Sequence, residues 1–140
     1  MDSFLYFPII ASFVAIIFSF ILIKILKSKN TGSDKMREIA KAIEDGAKAF
    51  LRREYIYLSI FVTVVAIALA ILINPLTAVS FVVGGILSAI AGYVGMRVAT
   101  MANVRTAEAA KEGVSSALKT AFSSGTIMGM MVAGLGLLGL

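Results

Sequence analysis

The sequence contains no cysteine and no histidine. Their absence excludes a disulfide framework, a Cys/His zinc site, a thiol nucleophile and an imidazole base. Charge is also scarce, because Asp, Glu, Lys and Arg make up only 15% of the residues, against about a quarter in typical soluble domains. The hydrophobic share is 59% and the mean hydropathy is +0.96. These values exclude an ordinary soluble domain and indicate an integral membrane protein.

The few charged residues leave three long tracts without charge. They cover 3–23, 55–96 and 120–140, which are 21, 42 and 21 residues long. A bilayer core about 30 Å thick is crossed by about 20 helical residues. The tracts therefore predict an all-α, polytopic membrane protein with four transmembrane helices in a single membrane region. Along the chain we predict span 1 at 4–25, a cytoplasmic linker at 26–33, an amphipathic helix that continues into span 2 at 34–73, an external hairpin at 74–77, span 3 at 78–96, a cytoplasmic segment at 97–119 and span 4 at 120–140.

The predicted helix at 34–73 has two different halves. Ser33 is the expected N-cap, and Asp34 suits the positive end of the helix dipole. In the first half, apolar residues recur at spacings of three and four with charged residues between them, which is the amphipathic pattern. The second half is apolar up to Asn74-Pro75, which marks the hairpin. Forty residues at 1.5 Å each give about 60 Å, so roughly half of this helix should stand outside the membrane.

The basic residues predict the orientation of the chain. All 13 Lys and Arg lie at 24–53 or 97–119, and neither the N-terminus nor the hairpin holds any. The positive-inside rule then places both basic stretches in the cytoplasm, with the N-terminus, the hairpin and the C-terminal end outside. Since these cations flank membrane spans, the basic balance (pI about 9.7) does not indicate a nucleic-acid partner. The expected partner is the lipid bilayer of the cell membrane.

The predicted spans hold small and hydroxyl residues but no Asp, Glu, Lys or Arg. An ion carrier usually needs an ionisable group in the membrane, so an ion path is not predicted here. Small residues at four-residue spacing let helices approach closely, and we favour packing over a substrate path for the rows Gly84/Ser88/Gly92, Ala91/Gly95/Ala99 and Gly125/Gly129/Ala133. Bonding to backbone carbonyls is expected for most of the hydroxyls, namely Ser12, Ser19, Ser59, Thr63, Thr77, Ser80 and Ser88.

The polar half of the long helix interleaves acidic and basic residues. Their spacings predict the surface ion pairs Glu38–Lys41, Glu44–Lys48 and Asp45–Lys48. A solvated helix face explains this pattern better than a metal site, which needs carboxylates that converge without neutralising cations. In the second basic stretch, Arg97 and Arg105 have the chemistry to bind phosphate. We favour the simpler interpretation that both anchor the topology.

The last residues, 128–140, carry no Lys, Arg, Trp or Tyr that would anchor a helix at the interface. Together with the small-residue rows, this predicts that the four helices are the N-terminal part of a larger helical bundle.

Two stretches resemble the membrane-bound, ion-translocating inorganic pyrophosphatases. The first matches the early amphipathic helix of that family at Ile39, Ala40, Ile43, Gly46, Ala47, Phe50, Leu51, Arg53 and Tyr55. The second holds Ala-Gly-Tyr-Val-Gly-Met at 91–96, Ala-Asn-Val-Arg-Thr at 102–106, Ala-Phe-Ser-Ser-Gly at 121–125 and Met-Gly at 128–129. The matches spread over most of 39–136, whereas residues 1–35 resemble the family only in hydropathy.

The resemblance implies a homodimeric pump that hydrolyses magnesium pyrophosphate at a cytoplasmic site and moves protons or sodium ions outward. It implies Mg²⁺ as cofactor, pyrophosphate as substrate and the remaining helices of the pump as partners, and it leaves the need for K⁺ open. The family's Asp- and Lys-rich substrate motif has no counterpart in this sequence. We therefore assign no catalytic, cofactor-binding or metal-ligating residue, and we expect these 140 residues alone to be inactive.

Two other functions are compatible with the residues. A small non-enzymatic four-helix scaffold or assembly subunit would explain the absence of ionisable residues from the spans. A small autonomous transporter is less compatible with that absence.

Overall fold

The computed structural model describes residues 3–139, with side chains from Tyr6 onward, and this range is helical almost throughout. The helices are α1 (Ser3–Lys27), α2 (Asp34–Leu72), α3 (Pro75–Ala109) and α4 (Val114–Leu138), with one turn of 3-10 helix at Ala110–Glu112. No strand occurs between residues 3 and 139. Each of the four helices is long and apolar enough to cross a membrane. The predicted all-α, polytopic fold is confirmed.

The helices extend beyond the predicted spans at several points. α1 continues to Lys27, so the linker without helix is 28–33. The polar segment at 97–119 is divided, because α3 runs through its first half and α4 begins at Val114. Leu140, the last residue of predicted span 4, lies outside the described residues. Where the bilayer begins and ends along these helices stays a prediction.

Side-chain caps fix the starts of two helices. The Met36 amide donates to Ser33 Oγ at 3.4 Å, which confirms the predicted N-cap of α2. At α3 the Thr77 amide donates to Asn74 Oδ1 at 2.8 Å, and Pro75 occupies the first turn, where its missing N–H costs nothing. The residues that mark the hairpin in the sequence therefore also start the next helix.

A glycine separates α3 from α4. Gly113 has a φ of +129°, a conformation that side chains with a Cβ rarely adopt. Its N–H donates to the Ala110 carbonyl at 3.2 Å and ends the 3-10 turn. The chain can then reverse direction within a few residues, so α3 and α4 pack against each other.

The helices lie side by side in the order α2, α3, α4, α1, because the extensive contacts are α2 with α3, α3 with α4 and α4 with α1. Within residues 3–139, no Cα atom of α1 comes within 8 Å of a Cα atom of α2. The core lies mainly between α3 and α4 and includes Ile127, which is fully buried, and Leu26 from the end of α1. Helices that follow each other in sequence, α1 and α2, are therefore the outer members of the row.

Large apolar surfaces remain uncovered on this row of helices. Leu51 is the only buried residue of α2, and exposed apolar side chains continue along its second half, as at Ile60, Val64 and Ile71. Such surface is compatible with a bilayer or with further helices, and incompatible with water.

Candidate functional site

The hydroxyl groups of the apolar tracts bond mostly to their own helices. Four of them donate to a backbone carbonyl three or four residues earlier at 2.7–2.8 Å: Ser12, Ser19, Ser59 and Thr63. Thr77 instead donates to the Asn74 side chain at 3.1 Å. Ser80 and Ser88 are exposed and make no side-chain hydrogen bond within the described part of the chain. The predicted bonding to backbone carbonyls is confirmed for Ser12, Ser19, Ser59 and Thr63. None of the seven hydroxyl residues forms a polar cluster with another of them.

The small-residue rows differ in what they contact. A Cβ added at Gly95 would lie 3.1 Å from Met128 Cγ, so helix packing is confirmed at this residue, and the partner, which was not predicted, is α4. At Gly84, Gly125 and Gly129, an added Cβ would meet nothing within 4 Å among the described residues. Sequence spacing missed a close approach of α4 to α1 at Gly134, where a Cβ would lie 3.0 Å from Ile16 and 3.1 Å from the Ser12 carbonyl oxygen.

The acidic side chains are spread along the chain, and most of the described ones pair with a cation. Lys48 Nζ lies 3.0 Å from Glu44 and 3.6 Å from Asp45, so both pairs occur as predicted. The predicted pair of Glu38 with Lys41 is wrong, because Glu38 binds Lys35 Nζ at 2.9 Å on the preceding turn. Within residues 3–139 no three acidic residues converge on one point.

The pair of Glu44 and Lys48 changes the acidity of both groups. The hydrogen bond and the charge of Lys48 lower the pKa of the Glu44 carboxyl, and Arg97 and Lys41 lower it further by their charge. The same hydrogen bond raises the pKa of Lys48. Both side chains face solvent, so this is a local electrostatic effect and contributes little to stability.

Cationic side chains converge at a different place, where α1, α2 and α3 leave a cleft of about 560 Å³ at the polar end of the bundle. We call it the cationic cleft. Lys27 enters it from α1, Arg37 from α2, and Arg97 and Arg105 from α3. Glu44 is the one acidic residue in its lining. Four cations and one carboxylate give the cleft an excess of positive charge, which suits an anionic ligand.

Arg105 holds the end of α1 against α3. Its Nη1 donates to the Met101 carbonyl at 2.7 Å, and its Nη2 donates to the Lys27 carbonyl at 3.3 Å. That carbonyl belongs to the last turn of α1, where a cation also suits the helix dipole. The Arg105 Nε is buried and has no partner among the described residues. Burial lowers the pKa of this guanidinium, yet arginine stays charged at any physiological pH.

Arg97 lies at the other side of the cleft, toward α2. Its Nη1 is 3.7 Å from Glu44 Oε1, and its guanidinium carbon is 6.0 Å from the centre of the Tyr93 ring. Arg97 is therefore held between a weakly engaged carboxylate and an aromatic face. Half of its side chain remains exposed, so it can still bind a ligand.

Further contacts tie the linker after α1 to the other helices. Lys29 Nζ donates to the buried Thr120 Oγ1 at 2.9 Å, which joins the linker to α4. Gly32, with a φ of +72°, lies so close to Glu108 that a Cβ there would overlap the carboxylate. These contacts fix the position of the linker next to the cationic cleft.

Sequence reasoning found part of this cleft. Arg97 and Arg105 were recognisable as possible phosphate ligands, although anchoring the topology seemed the simpler role. Lys27 and Arg37 carry no sequence signal that links them to the other two, since the four residues come from three helices and Lys27 and Arg105 are 78 positions apart. Only the packing of the helices brings them together.

Comparison with known proteins identifies the family of the chain. The family model described as "Inorganic H+ pyrophosphatase" matches residues 13–140. A putative K⁺-stimulated pyrophosphate-energised sodium pump from Clostridium tetani is 48% identical over 130 residues, which are 93% of this chain and 19% of the relative. The K⁺-stimulated pyrophosphate-energised sodium pump of Thermotoga maritima is 44% identical over 114 residues, or 80% of this chain and 16% of the relative.

A relative of different named specificity matches as well. The K⁺-insensitive pyrophosphate-energised proton pump of Methanosarcina mazei is 35% identical over 141 aligned positions, which cover 99% of this chain and 21% of the relative. The chain thus spans about a fifth of the length of the curated relatives it matches. The family match covers nearly all of the described helices, and the resemblance seen in the sequence is confirmed. The chain belongs to the family of membrane-bound, ion-pumping inorganic pyrophosphatases.

Proposed function

We propose that this chain forms the N-terminal part of a pump that hydrolyses pyrophosphate on the cytoplasmic side of the membrane and moves protons or sodium ions outward. The observation that carries the proposal is the family match over residues 13–140. The relatives are named as sodium pumps or as a proton pump, so the transported ion differs within the family. Their names also differ in K⁺ stimulation, and both properties of this chain remain to be measured.

Within the intact pump, this chain would supply packing surface and a helix that projects from the membrane. α2 is 39 residues long, about 58 Å at 1.5 Å per residue, which is about twice the thickness of a bilayer core. The uncovered apolar faces support further helices of the same pump as partners. By the same resemblance, we propose that the intact pump works as a homodimer.

Magnesium would serve such a pump by neutralising and orienting pyrophosphate. The described residues do not supply a carboxylate cluster for that role, because no group of three acidic side chains converges within residues 3–139. The metal ligands and the catalytic groups would then come from other helices of the pump. No step of the hydrolysis is assigned to a residue of this chain.

Phosphate release tests this proposal. Membranes that contain only residues 1–140 should release no phosphate from pyrophosphate in the presence of Mg²⁺. Membranes that contain the longer polypeptide, which starts at Met1 and continues past Leu140, should release phosphate. Hydrolysis by the 140 residues alone would contradict the proposal, and so would a stop codon directly after Leu140.

A second candidate is a small scaffold or assembly subunit without chemistry. The observation that favours it is the absence of any charged residue from the apolar tracts at 3–23, 55–96 and 120–140. An antibody against the 34–54 region would separate the two candidates on a blot of native membranes. A band near 14.8 kDa, the mass of this chain, supports the scaffold, and a band about five times larger supports the pump.

A further inference from the structure

The cationic cleft exists because the two outer helices of the row do not meet. No Cα of α1 lies within 8 Å of a Cα of α2 in the described range. α1 packs mainly on α4 and α2 packs on α3, so a gap remains between α1 and α2 along α3. The gap holds about 560 Å³ and opens to the outside of the bundle. A molecule beside the protein can therefore enter it without unfolding any helix.

The lining of the cleft changes from apolar to cationic along the helices. On α1, Phe20 and Ile23 come before Lys27, and on α3, Tyr93 comes before Arg97. α1 and α3 end on the same side, because Arg105 reaches the Lys27 carbonyl. Phe20, Ile23 and Tyr93 therefore lie at an end of the cleft without cations. The other end holds all four cations, together with the apolar Val98, Met101 and Val104 of α3.

This change of lining falls at the edge of the charge-free tracts, which end at Ile23 and at Met96. In a membrane protein such an edge marks the level of the lipid headgroups. The apolar end of the cleft then faces acyl chains, and the cationic end faces phosphates.

The cations of the cleft are incompletely neutralised. Glu44 is shared between Lys48 at 3.0 Å and Arg97 at 3.7 Å. Arg105 bonds only to carbonyl oxygens, and Lys27 has no ion pair within residues 3–139. Arg37 is the best paired of the four, through Asp34.

We propose that the cationic cleft binds an anionic phospholipid, with the lipid phosphate at Lys27, Arg97 and Arg105 and an acyl chain beside Phe20 and Tyr93. Guanidinium groups bind phosphate oxygens with charge-assisted, often bidentate hydrogen bonds, and basic pockets between membrane helices commonly hold lipid headgroups. A soluble phosphate would use the cations but leave the apolar end empty, which is why a lipid fits better. The proposal is independent of the pump function, since it depends only on the chain lying in a membrane.

Lipid retention in nanodiscs tests the proposal. The full polypeptide is reconstituted in phosphatidylcholine with increasing phosphatidylglycerol, and native mass spectrometry gives the apparent affinity for phosphatidylglycerol. In the double variant Lys27→Gln/Arg97→Gln this affinity should fall about thirty-fold, from the usual contribution of a cation near an anionic lipid surface. The variant Lys27→Arg/Arg97→Lys keeps both charges but loses the guanidinium fork of Arg97, so it should lose less affinity than the double glutamine variant.

A matched control removes the same charge elsewhere. Lys24→Gln/Lys119→Gln takes two cations from outside the cleft lining and should change the affinity by less than about threefold, since only distant, screened charge is lost. Helical content by circular dichroism checks that every variant folds.

Four results would overturn the proposal. The first is equal loss in the cleft variant and in the control, which would show a diffuse surface charge effect. The second is equal retention of phosphatidylcholine and phosphatidylglycerol. The third is inorganic phosphate displacing bound phosphatidylglycerol from the original protein, which would identify a soluble anion as a ligand of the cleft. The fourth is an unchanged affinity for phosphatidylglycerol in the variant Lys27→Gln/Arg97→Gln. This result is expected if other helices of the pump fill the cleft.

Discussion

Gly134 allows the backbone of α1 to lie closer to α4 than it ordinarily would beside a methyl group. An added Cβ would lie 3.0 Å from Ile16 Cγ1 and 3.1 Å from the Ser12 carbonyl oxygen. The Ile16 side chain can rotate, but the carbonyl belongs to a helix backbone and cannot move alone. Close backbone contact of this kind is how membrane helices gain van der Waals attraction.

We therefore expect Gly134→Ala to destabilise the protein by about 1 to 2 kcal/mol, because overpacking outweighs the better helix propensity of alanine. Thermal unfolding in detergent measures this loss. The control is Gly136→Ala on the same helix, where a Cβ meets nothing within 4 Å among the described residues. Equal unfolding temperatures for the two variants would contradict the close approach.

The pH dependence of Glu44 can be predicted from its partner. Lys48 lowers the pKa of Glu44, so the ion pair stabilises the folded state fully above the ordinary carboxyl pKa. This stabilisation is lost as the pH falls through the lowered pKa, where Glu44 takes up a proton. Lys48→Gln should raise the pKa of Glu44 toward its ordinary value, measured by NMR titration of the Glu44 side-chain carboxyl carbon. Lys41→Gln, which removes only a weaker and more distant charge, should raise it less, and an equal rise would contradict the assigned cause.

Residue-level predictions from the sequence succeeded where the partners are close along the chain. Ser33 caps α2, and Lys48 pairs with Glu44 and Asp45, because helix geometry alone places these residues together. For Glu38 the spacing allowed a partner on either side, and the structure pairs it with Lys35. Gly134 was missed because its contact on α1 is more than a hundred residues away, and spacing within one helix carries no information about it.

At the scale of the element, α2 depends on one neighbour. It packs along α3, and a single cross-helix hydrogen bond is seen between them, from Tyr55 Oη to the Ala89 carbonyl at 2.7 Å. Ala89 lies in an intact helix, so its carbonyl accepts this bond in addition to its helical one. The tyrosine therefore joins the two helices at the point where the polar half of α2 becomes apolar.

Tyr55→Phe should weaken the contact of α2 with α3 by about 0.6 kcal/mol and at most about 1.7, the range measured for hydrogen bonds between membrane helices. The measurement is unfolding of the detergent-solubilised protein in a denaturing detergent. Tyr57→Phe is the matched control, since Tyr57 is 68% exposed and makes no hydrogen bond within residues 3–139. A larger loss of stability in the Tyr57→Phe control would show that the Tyr55 hydroxyl does not hold the two helices together.

Helix content was predictable because hydropathy and breakers act locally. A continuous α2 follows from the absence of Pro and from the single, tolerated Gly46 between residues 34 and 73. The division of 97–119 was not foreseen, since α3 and α4 are both polar there and only a 3-10 turn and the backbone of Gly113 separate them. Polarity describes the surroundings of a segment, and it does not by itself say where a helix stops.

At the scale of the whole molecule, the order of the helices is the part that the sequence could not supply. Apolar tracts predict the number of spans. Which helices become neighbours depends on how small residues on different helices pack together. Gly95 against Met128 and Gly134 against Ile16 select α4 as the centre of contact for both α3 and α1. The cationic cleft is a consequence of that order, so the sequence indicated Arg97 and Arg105 as possible phosphate ligands but not their grouping with Lys27 and Arg37.

Orientation in the membrane is a property of the whole chain, and the absence of cysteine makes it measurable without background labelling. Leu76 at the hairpin is 75% exposed, and Val114 beside the second basic stretch is 83% exposed. Single cysteines at these positions, Leu76→Cys and Val114→Cys, change little in size or polarity. Labelling of intact cells with a membrane-impermeant maleimide shows which side of the membrane each cysteine faces.

The excess of Lys and Arg beside Val114, and its absence around the hairpin, predict opposite results at the two positions. We expect Leu76→Cys to react in intact cells and Val114→Cys to react only after permeabilisation. The reverse pattern would mean that the chain has the opposite orientation, with the cationic cleft at the outer leaflet. Labelling of both positions in intact cells would mean that α3 does not cross the membrane, since α3 alone connects them.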